Sequence, residues 1–124
     1  MTDQWLDCTG NVVVGDVVRF TEAVFGGSFR KPTHLGERTI TARVVRDSYG
    51  SDRQQHTFSL DVVRADGFDA SKLKPSIRRK GRNVYRNGCV RQRWDDEASR
   101  EVVCREKWSR GRVARADRAA RVGL

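Results

Sequence analysis

A chain of 124 residues can form one domain with a modest hydrophobic core. One third of its residues are charged, and it shows neither the roughly 20-residue apolar window of a membrane helix nor a leader pattern, which predicts a cytoplasmic protein with no membrane partner. The net charge of +9 favours a polyanionic partner.

The first half of the chain predicts three β-strands. A β-branched run predicts the first, over Val17 to Thr21. Two alternating segments, residues 38–47 and 55–63, predict strands with one buried face, formed by Ile40, Ala42 and Val44 in one and by Phe58, Leu60 and Val62 in the other. Residues 25–37 contain three glycines and a proline, which predicts a long loop.

The segment 82–93 predicts a basic β-hairpin. Asn87-Gly88 lies between two short strand-like runs, and these two residue types tolerate the positive φ angles that a type I′ turn requires. A two-stranded ribbon of this kind is narrow enough to enter the major groove of DNA.

Residues 95–110 predict a C-terminal helix. Asp95, Asp96 and Glu97 provide the negative charge that a helix N-terminus favours. An apolar stripe is expected to pack the helix on the preceding strands, and it consists of Trp94, Ala98, Val102, Val103 and Trp108. An exposed tryptophan would instead indicate a protein-binding surface. Residues 111–124 are a basic tail that is either helical or frayed.

Short strands joined by turn-rich segments and followed by a helix predict an α+β protein. The expected architecture is a small SH3-like antiparallel β-barrel over residues 1–94, followed by the C-terminal α-helix. The segments GDVVRFTEAVFGG, RVVRDSYG, QQHTFSL and RRKGRNVYRNG, within residues 15–88, also resemble small uncharacterised accessory proteins of phages and prophages. The resemblance implies a mobile-element protein and no particular activity.

The positive charge is concentrated in the second half of the chain. Residues 1–66 contain eight Lys and Arg against nine Asp and Glu, whereas residues 67–124 contain 17 against seven. Nine basic residues and no acidic one lie between Lys72 and Arg93. Such segregation is typical of a nucleic-acid-binding face.

The candidate binding residues follow from this segregation. Arginine and lysine neutralise phosphates, while Tyr85 and Asn83 could contact a base or a sugar. The full set is Arg78, Arg79, Lys80, Arg82, Asn83, Tyr85, Arg86, Arg91 and Arg93. The alternative is that the same cations only solvate the outer face of a polar barrel.

Catalytic and metal-binding patterns have little support in the sequence. Cys8, Cys89 and Cys104 are far apart, form no CxxC motif and have no neighbouring histidine, which argues against zinc and against a disulfide framework. His34 and His56 have no sequence neighbour that completes a catalytic set. We therefore expect a non-enzymatic protein without cofactor or metal.

The function predicted is binding to nucleic acid or to a nucleoprotein complex, as a phage or mobile-element accessory protein. The alternative is a protein inhibitor of a host anti-phage defence complex, comparable to an anti-CRISPR protein. Such an inhibitor would use the basic face to bind an acidic surface of the host nucleoprotein complex and block its nucleic-acid channel.

Overall fold

The structure is a computed structural model that describes residues 3–8, 10–48 and 56–122, with the side chains of 111 and 113–122 left undescribed. It contains six strands and two α-helices. They are β1 (Trp5–Asp7), β2 (Val17–Gly27), β3 (Pro32–Ser48), β4 (Thr57–Gly67), β5 (Ser76–Lys80), α1 (Gly81–Tyr85), β6 (Cys89–Gln92) and α2 (Glu97–Val122), with a 3₁₀ turn at Ala70–Lys72.

The strands form one open antiparallel sheet in the order β1-β6-β2-β3-β4-β5. The prediction of an SH3-like barrel is wrong, because β1 and β5 are the two edges of this sheet and do not pair with each other. A C-terminal helix follows the strands, as predicted. Barrel closure depends on which distant strands pair, and alternating patterns within single strands carry no information about that pairing.

The hydrophobic core lies on one face of the sheet, and its alternation was predicted correctly. Ile40, Ala42 and Val44 on β3 are fully buried, as are Phe58 and Leu60 on β4, while Val62, the third residue predicted for the β4 face, is partly buried against the core. Neighbouring elements complete the same cluster with Cys8, Val12, Val18, Phe20, Val84 and Cys89. The period of two therefore identified the buried face of both long strands.

The predicted loop at residues 25–37 is mostly strand. β2 continues to Gly27 and β3 begins at Pro32, so the two strands form a long hairpin with a tight connection. A β-bulge between Val24 and Phe25 shifts the register within it. Glycine and proline indicated a loop by composition, but here they lie at the end of a ribbon that passes beyond the rest of the sheet.

The predicted hairpin at residues 82–93 is wrong. β5 pairs with β4, and β6 pairs with β1 and β2, so the two basic segments lie in different parts of the sheet. Helix α1 connects them and places Val84 in the core. Gly88 has a φ of +85°, whereas the described non-glycine residues with positive φ do not include Asn87, which excludes a type I′ turn.

Helix α2 begins and ends later than predicted. Asp96 precedes the first turn, where its carboxylate accepts hydrogen bonds from the Ala98 N–H at 3.0 Å and the Ser99 hydroxyl at 2.8 Å. The helix then continues through Gly111 to Val122, which is about 39 Å at 1.5 Å per residue. The helical alternative for residues 111–124 therefore holds as far as Val122. No helix in the described part of the chain combines the length and apolar character needed to cross a bilayer.

A buried carboxylate attaches α2 to the sheet. Asp16 has no solvent exposure and accepts hydrogen bonds from Trp94 Nε1 at 2.7 Å and from Arg100 Nε and Nη2 at 2.9 Å each. The Val13 N–H donates to it as well, at 3.0 Å. Burial opposes the charge of Arg100, but the hydrogen bonds and charge of Asp16 outweigh burial and raise the pKa of Arg100.

The predicted apolar stripe of α2 is largely exposed, so that prediction is also wrong. Trp108 is 69% exposed and Val102 is 48% exposed, while Arg100 and Lys107 are buried. The ammonium group of Lys107 donates to the Val12 carbonyl and lies 5.0 Å from the centre of the Phe58 ring. Arg100 and Lys107, rather than Val102 and Trp108, thus form the buried contacts of this part of the helix.

Candidate nucleic-acid interface

The cations of residues 72–80 lie on the edge strand β5 and just before it, and we call them the basic edge. Strand β5 lies at that edge, and its pairing with β4 sets which way its side chains face. Ile77 and Arg79 lie opposite the buried Leu60 and Phe58, so Arg78 and Lys80 face away from the core. The basic edge consists of Lys72, Lys74, Arg78, Arg79 and Lys80, whereas Arg82 and Arg86 lie on and just after α1, which also contacts β2.

A pocket of about 370 Å³ opens beside this edge strand. Its lining contains five cations and no carboxylate, and consists of Arg38, Lys72, Leu73, Lys74, Ser76, Ile77, Arg78 and Arg79. We call it the basic pocket. Clustered cations around a concave surface attract phosphate groups more strongly than scattered surface cations do.

Glu22 holds two of the pocket cations in place. Arg79 donates to its carboxylate from Nε at 2.7 Å and from Nη2 at 3.1 Å, and Arg38 donates from Nε at 2.8 Å. Burial disfavours the charge of Glu22, but these hydrogen bonds outweigh burial and lower its pKa. A guanidinium has five N–H donors, so a carboxylate on one side leaves donors for a phosphate on the other.

Two carboxylates reduce the charge of the basic pocket without cancelling it. Glu22 is shared between Arg38 and Arg79, and Asp69 lies 3.5 Å from the ammonium group of Lys72. The Lys72 side chain is 78% exposed. An ion pair at such an exposed position contributes little free energy and competes only weakly with another anion for the lysine. The pocket therefore remains positively charged and accessible.

Five of the nine predicted residues are exposed. Arg78 and Lys80 lie on β5, Arg82 lies on α1, Arg86 follows α1, and Arg93 follows β6. Arg78 and Lys80 belong to the basic edge, while Arg82 and Arg86 lie on and after the helix that leads away from it. Arg93 is separated from them in the sheet, because its N–H donates to the Gln4 carbonyl at 2.8 Å beside β1.

The other predicted residues are wholly or partly withdrawn from solvent. The Tyr85 hydroxyl accepts a hydrogen bond from the Val12 N–H at 3.1 Å, and burial raises the pKa of Tyr85. Arg91 is 8% exposed and pairs with Glu97 at 2.7 Å, and Asn83 is half-buried. Arg79 is partly exposed and bound to Glu22. Base stacking on Tyr85 would require this side chain to leave the core.

Three pocket residues were missed by sequence reasoning. Lys72 and Lys74 lie in the acid-free segment, but no predicted hairpin included them. Arg38 lies far upstream, although its parity matches that of Ile40, Ala42 and Val44 on the buried face of β3. A cation in phase with an apolar face was the signal that could have identified Arg38.

Other reactive groups in the described part of the chain are inert or dispersed. Burial raises the pKa of Cys8 to about 11 and that of Cys89 to about 12, so both thiols stay protonated at neutral pH. Burial lowers the pKa of His56, and the charge of Lys107 acts in the same direction. Among the described residues, no three His, Cys, Asp or Glu side chains are placed to hold a metal ion.

Comparison with known proteins gives a family and one partial relative. Residues 8–94 match the family described as a domain of unknown function, DUF7699. The chain is also 36% identical over 122 residues to Zinc finger CCCH domain-containing protein 62 of Oryza sativa subsp. japonica. That alignment covers 94% of this chain but only 17% of the rice protein. No solved structure matches the chain. Neither match bears on the resemblance to phage proteins, which stays a prediction.

Proposed function

We propose that this chain, which belongs to the DUF7699 family, binds nucleic acid through its basic edge and basic pocket. The observation that carries the proposal is the acid-free run of cations around β5, most of them exposed at one edge of the sheet. Phosphate neutralisation and counterion release supply most of the affinity of a surface of this kind.

The name of the rice relative supports the same activity. A protein named for CCCH zinc fingers is consistent with a role on nucleic acid, and the matched segment shares 36% of its residues with this chain. Because this chain spans a small part of the rice protein, we propose a binding module and not the activity of the whole relative.

The alternative explanation of these cations is that they only protect an exposed sheet edge. Natural proteins place lysine and arginine on edge strands to prevent pairing with other chains. That role explains Arg78 and Lys80 on β5. It does not explain Lys72, Lys74 and Arg38, which lie off the edge strand and converge on one pocket.

A pair of matched double variants tests the proposal. Arg78→Ala with Lys80→Ala removes two charges from the basic edge, and Arg30→Ala with Lys31→Ala removes two from the exposed tip between β2 and β3. We expect the first variant to bind a mixed-sequence oligonucleotide about tenfold more weakly at low salt, and the second to bind like the original chain. Equal affinities of all three proteins would contradict the proposal.

A further inference from the structure

A groove lies between helix α2 and the segment that follows β1. It has a volume of about 510 Å³, and Asn11, Glu101, Cys104, Arg105, Trp108 and Arg112 contribute to its walls. We call it the Trp108 groove. It is formed by elements other than β5 and shares no lining residue with the basic pocket.

Trp108 is the most exposed tryptophan among the described residues, and its position has a physical cause. Helix α2 contacts the rest of the fold through Glu97, which pairs with Arg91 on β6, and through Arg100 and Lys107, which reach buried oxygen atoms. Trp108 follows Lys107 by one residue, and a rotation of about 100° along the helix turns it toward the groove and solvent. A large indole surface thus remains uncovered beside a cavity.

Two exposed arginines flank this indole. Arg105 and Arg112 lie three residues before and four residues after Trp108, the spacings that place helix side chains on one face. Both contribute to the groove. Glu101 also lines the groove, four residues before Arg105 and about 6 Å from it along the helix axis, so its charge lies nearer Arg105 than Trp108. The four cations of the lining still outnumber this one carboxylate.

The floor of the groove is held rigidly. Arg100 donates to Asp16 and, at 2.8 Å, to the Asn11 carbonyl, which fixes the segment opposite the helix. Lys107 donates to the Val12 carbonyl one residue further on. A ligand would therefore enter a preformed space, which limits the entropy lost on binding.

We infer that the Trp108 groove binds an unpaired nucleotide of a single-stranded nucleic acid. The base would stack on the indole of Trp108, and Arg105 and Arg112 would neutralise the phosphates on either side. A positive groove with an exposed aromatic ring is the arrangement that single-strand-binding proteins use. Inside a duplex both base faces are already stacked, so the indole selects an unpaired base. This inference rests on the proposed function and assigns a strand preference to it.

Tryptophan fluorescence of the full chain provides the test. Addition of a short oligo(dT) should quench the fluorescence, and Trp108→Phe should remove the quenched component while leaving that of Trp5 and Trp94. Trp108→Ala should weaken binding of oligo(dT) about tenfold but leave binding of inorganic polyphosphate unchanged. Arg112→Ala should weaken oligo(dT) binding more than Arg110→Ala, which removes one equal charge from the same helix outside the groove lining.

The outcomes separate this inference from the proposed function. If oligo(dT) binds with unchanged affinity to Trp108→Ala and leaves tryptophan fluorescence unaltered, the groove inference is wrong while nucleic-acid binding stands. Lack of binding to oligo(dT), duplex and polyphosphate alike would overturn both. Tighter binding of duplex than of oligo(dT) would also contradict the groove inference. So would burial of Trp108 by a protein partner when nucleic acid does not cover it. Circular dichroism of each variant checks that α2 remains folded.

Discussion

Asp16 is the residue on which the attachment of helix α2 depends. Its carboxylate is fully buried and accepts four hydrogen bonds, two of them from Arg100. The Trp94 ring, one of the donors, also packs over Gly15, where a Cβ would lie 3.0 Å from ring carbons. Gly15 also has a φ of +100°. Glycine is therefore needed immediately before Asp16 both for its backbone conformation and for the space that the Trp94 ring occupies.

Asp16→Asn should destabilise the protein by about 3–5 kcal/mol, because it leaves the buried guanidinium of Arg100 without a counter-charge. Asp66→Asn is the matched control, since Asp66 pairs with Arg64 at an exposed position and should cost about 1 kcal/mol or less. Urea unfolding of both variants measures the difference. Equal losses of stability would show that Asp16 is not the anchor.

Glu97 should make the stability of the protein depend on pH below neutrality. Hydrogen bonds from Arg91 lower the pKa of Glu97 to about 2, against an ordinary value of about 4.3. Because the folded-state pKa is the lower one, this stabilisation is complete above about pH 4.3 and is lost as the pH falls toward 2.

Glu97→Gln should therefore lower the free energy of unfolding near neutral pH. On acidification, the free energy of unfolding of this variant should fall by less than that of the original chain. The gap between the two proteins, measured by urea unfolding at several pH values, should close as the pH approaches about 2. Glu101→Gln makes the same change one helical turn further on and controls for the loss of charge. A gap that stays constant with pH would exclude this role for Glu97.

At the scale of elements, local patterns identified β3 and β4 but not the segment 82–93. Alternation reports burial directly, and Phe58 and Ile40 were placed correctly for that reason. Asn87-Gly88 indicated a turn, and the chain does turn there, but after a helix. The segment forms a helix and a strand because Val84 and Tyr85 pack against the core of the open sheet. This contact joins residues far apart in the chain, so the local sequence does not encode it.

Helix α1 gives a prediction that separates packing from binding. Tyr85→Phe removes the acceptor of the Val12 N–H and should cost about 1–2 kcal/mol of stability. It should leave affinity for nucleic acid unchanged, because the hydroxyl already has a partner within the protein. Unfolding and binding assays on the same preparation measure the two quantities. A loss of affinity without a loss of stability would return Tyr85 to the interface.

At the scale of the whole molecule, the sequence predicted the charge of the candidate interface better than its geometry. The acid-free segment 72–93 was visible directly, because composition does not depend on folding. Which cations reach solvent depends on strand pairing: Arg91 faces inward from β6 and meets Glu97, while Arg38 joins the pocket from β3. An open sheet with a basic edge, rather than a closed barrel with a basic hairpin, therefore presents the charge.

The salt dependence of binding tests the central claim most directly. Affinity for an oligonucleotide is measured between about 50 and 200 mM salt for the original chain and for Arg78→Ala with Lys80→Ala. Each phosphate contact adds about 0.7–0.9 to the slope of log affinity against log salt, so the variant should have a slope shallower by about 1.4–1.8. Identical slopes for the two proteins would contradict a phosphate-binding role for the basic edge.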